Sequence, residues 1–127
     1  MRIEHIALYT NKLEELRGFY EKYFGASCGS MYHNPKTGLK TYFLSFEGGA
    51  RLEIMERPNI EARPEAQYIT GYVHLAFSLG CKEAVDSLTK RLGDDGFKIL
   101  GGPRTTGDGY YESTAADPDG NVIELTV

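Results

Sequence analysis

Apolar and polar positions follow two rhythms along this chain, and the same succession of rhythms occurs twice. Residues 2–9 read as a strand. Leu13, Leu16, Tyr20, Tyr23 and Phe24 then fall at helical spacing, which predicts an amphipathic helix over 12–24. Asn11, three residues before Glu14, has the form of a capping box, and Gly25 suits the left-handed position that ends a helix. Residues 27–33, 40–47 and 50–56 read as three strands, with turn chemistry at Asn34-Pro35-Lys36-Thr37-Gly38 and a link across Gly48-Gly49. Residues 58–70 are the poorest stretch for regular structure and read as a linker. Order then resumes with a strand over 72–79 and a helix over 82–93, its buried stripe being Val85, Leu88 and Leu92. Strands follow at 97–101, 109–116 and 121–127, the last two separated by the turn Asp117-Pro118-Asp119-Gly120.

Strand, helix and three strands, twice over, predict an α+β fold of two βαβββ modules, 1–57 and 71–127, within one domain of 127 residues. Each module would be a curved sheet with its helix outside and a bare inner face, and two such sheets would enclose a cavity. Side chains alternate across a strand. Ile6 and Leu8 therefore share one face, with His5, Ala7 and Tyr9 on the other. Leu52 and Ile54 oppose Arg51, Glu53 and Met55. Leu75 and Phe77 oppose His74, Ala76 and Ser78, and Ile123, Leu125 and Val127 oppose Val122, Glu124 and Thr126. In all four strands the wholly apolar set suits a helix-packed surface, and a histidine or glutamate falls on the opposite side.

The histidines and glutamates occur in two matched phrases. His5-Ile6-Ala7-Leu8 is followed by Leu52-Glu53-Ile54, and His74-Leu75-Ala76-Phe77 by Ile123-Glu124-Leu125, at nearly the same spacing. One strand histidine or glutamate alone is more often structural or solvated. Four at matched places in two modules point to His5, Glu53, His74 and Glu124 converging on a metal. Two carboxylates in a cavity repel each other, and a divalent cation removes the conflict while fixing both imidazoles as neutral ligands. The mixed nitrogen and oxygen set suits one divalent transition metal, zinc, nickel, cobalt, manganese or iron, and not a calcium-type oxygen cage.

Composition narrows the partners. Net charge is −4 and the basic residues are scattered, so nucleic acid is excluded as a partner. No apolar run has the length of a membrane span, and the N-terminal residues lack the apolar core of a signal peptide, so a cytoplasmic location is expected. Cys28 and Cys81 have no metal-binding or redox spacing and read as reduced thiols.

These residues resemble the vicinal oxygen chelate superfamily, which includes glyoxalase I, methylmalonyl-CoA epimerase, fosfomycin-resistance proteins and extradiol dioxygenases. The resemblance spans the chain. It is carried by the His5 strand, by Phe19-Tyr20-Glu21-Lys22-Tyr23-Phe24-Gly25, by Gly71-Tyr72-Val73-His74-Leu75-Ala76-Phe77, by Gly102-Pro103, and by Asp117-Pro118-Asp119-Gly120-Asn121 before Ile123-Glu124. It implies paired βαβββ modules around a metal cavity. The set His5, Glu53, His74, Glu124 matches the bacterial glyoxalase I branch, whose members are lactoylglutathione lyases, whereas the epimerases have glutamine at the second place. Tyr9 and Arg57 stand where that branch carries a glutathione-binding arginine and an asparagine, and with Arg104 and Tyr111 they are the expected substrate contacts.

The function implied is a metal-dependent isomerase or lyase acting on a small thiol adduct or vicinal-oxygen substrate through a metal-stabilised enediolate. Glu53 and Glu124 are both candidates for the catalytic proton carrier. Alternatives are another metalloenzyme of the superfamily, an epimerase or thiol transferase, or a resistance protein that sequesters a small molecule without turnover. A homodimer is expected, since relatives often dimerise and the sheet edges need cover.

Overall fold

This computed structural model describes residues 1–64 and 70–127. The chain divides into two compact units, Met1–Pro64 and Glu65–Val127. The first contains β1 (His5–Tyr9), α1 (Leu13–Phe24), β2 (Ser27–Cys28), β3 (Tyr32–Asn34), β4 (Leu39–Ser45) and β5 (Arg51–Glu56). The second contains β6 (His74–Ser78), α2 (Lys82–Asp94), β7 (Ile99–Thr105), β8 (Tyr111–Ala116) and β9 (Val122–Thr126). Each unit is thus a mixed sheet with one helix, the α+β class that the sequence predicts. Of the linker expected at 58–70, residues 65–69 lie outside the described residues.

The two sheets share one topology. In the first, β1 pairs in parallel with β5, which pairs antiparallel with β4, and β4 carries both β2 and β3. In the second, β6 pairs in parallel with β9, then β8 and β7 follow antiparallel. The crossover that a parallel pair demands contains the helix in each unit.

Each helix lies on the apolar face of its own sheet. Leu13, Leu16, Phe19 and Tyr20 of α1 are buried, as are Leu44, Leu52 and Ile54 of β4 and β5, the elements α1 touches. Val85 and Leu92 of α2 are buried with Ala115, Ile123 and Leu125 of β8 and β9. A buried aliphatic side chain of this kind is worth about 1.5–3 kcal/mol, so the apolar half of each strand's alternation fixes which face is turned to the helix.

Three local expectations are corrected. The strand expected over 27–33 is two short strands, because the chain breaks at Gly29-Ser30-Met31 and restarts to pair Tyr32 with Thr41. The strand expected to stop at residue 101 runs to Thr105 through Gly101, Gly102 and Pro103, with register shifts. It is an edge strand, where the missing N–H of Pro103 is tolerated. Asn11 does not cap α1; the Thr10 hydroxyl accepts from Lys12 N–H at 2.8 Å instead. Gly25 does end α1, at φ +62°.

Candidate metal centre

The parallel pairing of first and last strands puts each histidine beside its own unit's glutamate. In the first unit His5 lies opposite Arg51 and Ala7 opposite Glu53, on the side away from α1. His5 Nε2 is 3.9 Å from Glu53 Oε2. In the second unit His74 lies opposite Val122 and Ala76 opposite Glu124, and His74 Nε2 is 3.5 Å from Glu124 Oε2. The same nitrogen faces the carboxylate in both. The histidines are about two-fifths exposed, while the glutamate side chains are 16% and 18% exposed.

These pairs fit a metal. Donors about 2.1 Å from a shared ion, at tetrahedral or octahedral angles, stand about 3.0–3.4 Å apart. Both separations are within a small side-chain rotation of that range. Each unit contributes two donors of the nitrogen and oxygen types that transition metals accept. Among the described residues, no three histidine, cysteine, aspartate or glutamate side chains form a metal-holding cluster.

The neighbours of the two glutamates differ. Thr41 donates its hydroxyl hydrogen bond to Glu53 Oε1 at 3.0 Å. Glu124 meets a second carboxyl group, Glu112, which hydrogen-bonds to it. Burial raises the Glu124 pKa above the ordinary carboxylate value, the negative charge of Glu112 raises it further, and His74 acts in the opposite direction. Glu112 in turn accepts from the Arg104 guanidinium at 3.3 Å. The Asp117 carboxylate fixes the hairpin that sets this register, accepting from Asp119 N–H and Asn121 N–H at 2.9 Å each. Thr114 is thereby held opposite Glu124 and Glu112 opposite Thr126.

Glu112 was not legible as a site residue in the sequence. A single glutamate in a half-polar strand looks solvated. Its signal is positional, since counting back from the Asp117 turn puts Glu112 on the same face as Thr114 and diagonal to Glu124.

The remaining expected residues are dispersed. Tyr9 is half exposed on the His5 face of β1. Arg57 is exposed just past β5 and borders a shallow cleft of about 210 Å³ with Lys40, Glu56 and Pro58. Arg104 is exposed on β7 beside Glu112, in a strand and not in the loop that the sequence places near it. Tyr111 is turned the other way. Its hydroxyl donates to Asp86 of α2 at 2.7 Å and Lys82 lies over its ring, so it faces the helix with Ser113 and Ala115. The bond to Asp86 also raises the Tyr111 pKa.

Known proteins bear on this geometry in two ways. The sequence profile of the Glyoxalase/Bleomycin resistance protein/Dioxygenase superfamily matches residues 2–125. The chain belongs to this superfamily. It is similar to the uncharacterized protein YqjT of Bacillus subtilis, at 29% identity, covering 97% of this chain and 96% of that one. A possible glyoxalase from Bacillus cereus superposes with a TM-score of 0.74 at 26% identity, covering 100% of this chain and 99% of that one. Glyoxalase I from Zea mays superposes with a TM-score of 0.81 at 22% identity, covering 98% of this chain. The chain spans 44% of the length of the maize protein, and the likeness to it is one of fold.

Proposed function

We propose that the protein is a metal-dependent, glyoxalase I-like isomerase or lyase, with His5, Glu53, His74 and Glu124 together holding one divalent transition metal. The observation that carries this reading is the repetition of one arrangement: in each unit a histidine Nε2 faces a glutamate oxygen, on the face away from the helix, from the same pair of parallel strands. Two donors per unit are half of what a transition metal needs, and in this reading both pairs would serve one ion, in one chain or across a homodimer.

A bound ion would supply Lewis-acid polarisation to two adjacent oxygens of a small substrate. The chain's own residues do the rest. We assign Glu124 as the proton carrier of the two, since a second carboxyl group, Glu112, lies beside it on the same face. Glu53, tied to the Thr41 hydroxyl, acts as a fixed ligand. Tyr9, Arg57 and Arg104 supply substrate contacts. Arg104 suits an anionic group, being two-thirds exposed and held at one end by Glu112. Tyr111, committed to Asp86, takes no part.

Tyr9 in place of the arginine of the glutathione-using branch favours a thiol other than glutathione, or a related epimerase or transferase reaction on another vicinal-oxygen substrate. No helix among the described residues is long and apolar enough to cross a membrane, and a small-molecule substrate in the cytoplasm fits the reading. Elemental analysis of purified protein and assays of methylglyoxal with a panel of thiols test it. One equivalent of transition metal per chain, lost on replacing His5 or His74, is expected together with turnover of a thiol adduct. Protein that takes up no metal sinks the proposal; metal without turnover on any adduct moves it to the epimerase or transferase reading.

A further inference from the structure

We propose that Glu4, held by Arg51, is a positioning residue that locks His5 in one tautomer and makes the first unit the anchoring half of the metal centre. The inference rests on the metal reading above and goes beyond it by separating the two histidines.

Glu4 precedes β1, yet its backbone is already in the ladder: its carbonyl accepts from Arg51 N–H at 3.0 Å. Its side chain is pinned at both oxygens. Oε1 accepts from Arg51 Nε at 2.8 Å, and Oε2 lies 2.5 Å from His5 Nδ1. A carboxylate only accepts, so Nδ1 carries the proton, and in the neutral ring Nε2 presents its lone pair. That nitrogen is the one facing Glu53.

Phe43 closes the arrangement. It lies opposite Glu53 in the β4–β5 ladder. The His5 ring stands edge-on to it, with centroids 5.5 Å apart and planes at 87°, and the Arg51 guanidinium sits 4.2 Å above it. His5 is thus held by a carboxylate on one edge and an aromatic face on another, and both supports are themselves held by Arg51. A carboxylate behind a ligating imidazole fixes ring orientation and raises ligand basicity.

The second unit has the same strands without these groups. Val73 stands where Glu4 stands, Val122 where Arg51 stands opposite the histidine, and Thr114 where Phe43 stands opposite the glutamate. Among the described residues, no carboxylate–aromatic support of this kind holds the His74 ring. The first unit therefore presents a preorganised donor, and His74 completes the set.

Nitrogen-15 NMR of the full chain, at a pH where both imidazoles are neutral, reads the tautomers without any metal. His5 is expected in the Nδ1–H form and His74 in the Nε2–H form that prevails in free imidazole side chains. Glu4→Ala should return His5 to Nε2–H and weaken Zn²⁺ binding, measured by chelator competition, about 10–100-fold. Glu4→Gln, which keeps an acceptor oxygen, should hold the tautomer and recover part of the affinity. Glu4 is exposed, so both variants should fold as the parent does. A wild-type His5 in the Nε2–H form, or a tautomer indifferent to Glu4→Ala, overturns the lock. A shifted tautomer with unchanged Zn²⁺ affinity overturns the anchoring role. A wild-type protein that takes up no Zn²⁺ while Glu4→Ala still shifts the tautomer overturns the metal reading and leaves the lock standing.

Discussion

Glu112 stands two residues before Thr114 on β8 as Thr41 stands two before Phe43 on β4, so both occupy the same place beside their unit's glutamate. Thr41 donates a hydrogen bond to Glu53, whereas Glu112 opposes ionisation of Glu124. One duplicated scaffold thus places different neighbours, a hydroxyl and a carboxyl group, at the same position beside its two glutamates.

The first prediction follows from linkage. Glu124 in the folded protein titrates above its value in the unfolded chain, mainly through burial and then through Glu112. Between those two values the folded state holds more protons than the unfolded state. The contribution to stability is therefore fully present below the ordinary carboxylate pKa and is lost as pH rises through the raised folded value. Metal-free protein should lose melting temperature across that window. Glu112→Thr, which copies Thr41, should flatten the loss, and Glu124→Gln should remove it. Melting curves of chelator-treated protein from pH 4 to 8, taken as about the range carboxylates reach in proteins, check the sign.

A second prediction separates the two faces of one strand. Ile54 is fully buried against the helix side of β5, while its neighbour Glu53 faces away. Ile54→Ala should cost about 2–5 kcal/mol of folding stability, through lost burial and the cavity left behind. Urea denaturation reads this directly. Metal uptake by the folded fraction should be unchanged, because the backbone that aims Glu53 is carried by the β1 and β4 ladders.

Much of this was legible because burial writes itself into alternation. The parity of Leu52 and Ile54, and of Ile123 and Leu125, puts Glu53 and Glu124 on the far face. The histidines followed from the same parity. Tyr111 turns to Asp86 of α2, and its strand has small residues, Ser113 and Ala115, where a helix packs, so no apolar stripe marks the helix side in the sequence. Arg104 was placed near a loop because Gly101-Gly102-Pro103 reads as the end of a strand, and only an edge position lets the strand continue through them. Glu112 and Glu4 go unmarked for a different reason: Glu112 meets Glu124, and Arg51 holds Glu4, across a ladder whose register is not written in composition.

A third prediction concerns the turn after β3. Gly38 has φ +72°, and a Cβ there would meet the Pro58 ring at 2.8 Å. Gly49 has a similar φ, +82°, with open space around it. Gly38→Ala carries both backbone strain and a clash, and Gly49→Ala carries strain alone, of order ~1 kcal/mol or more. Gly38→Ala should therefore be the more destabilising of the two in a chemical denaturation series, and double replacement with Pro58→Ala should recover part of the difference. Equal costs at the two glycines would mean that Pro58 yields without resistance.

The last prediction tests the division of labour between the two glutamates. Both are ligands in the proposed centre, so Glu53→Gln and Glu124→Gln should each weaken metal binding while leaving the fold intact, since neither side chain is part of the helix-packed core. Their effects on turnover should differ. Loss of a general acid–base group costs about 10²–10⁴-fold in rate, and Glu124→Gln should show this at saturating metal. Glu53→Gln keeps its contact with the Thr41 hydroxyl through the amide oxygen and should recover much of its activity once metal is saturating. Steady-state rates on a thiol adduct, measured against metal concentration for both variants, give the comparison. If Glu53→Gln stays inactive at saturating metal while Glu124→Gln recovers, the proton passes through the first unit instead, and the raised pKa of Glu124 reflects only its burial and the company of Glu112.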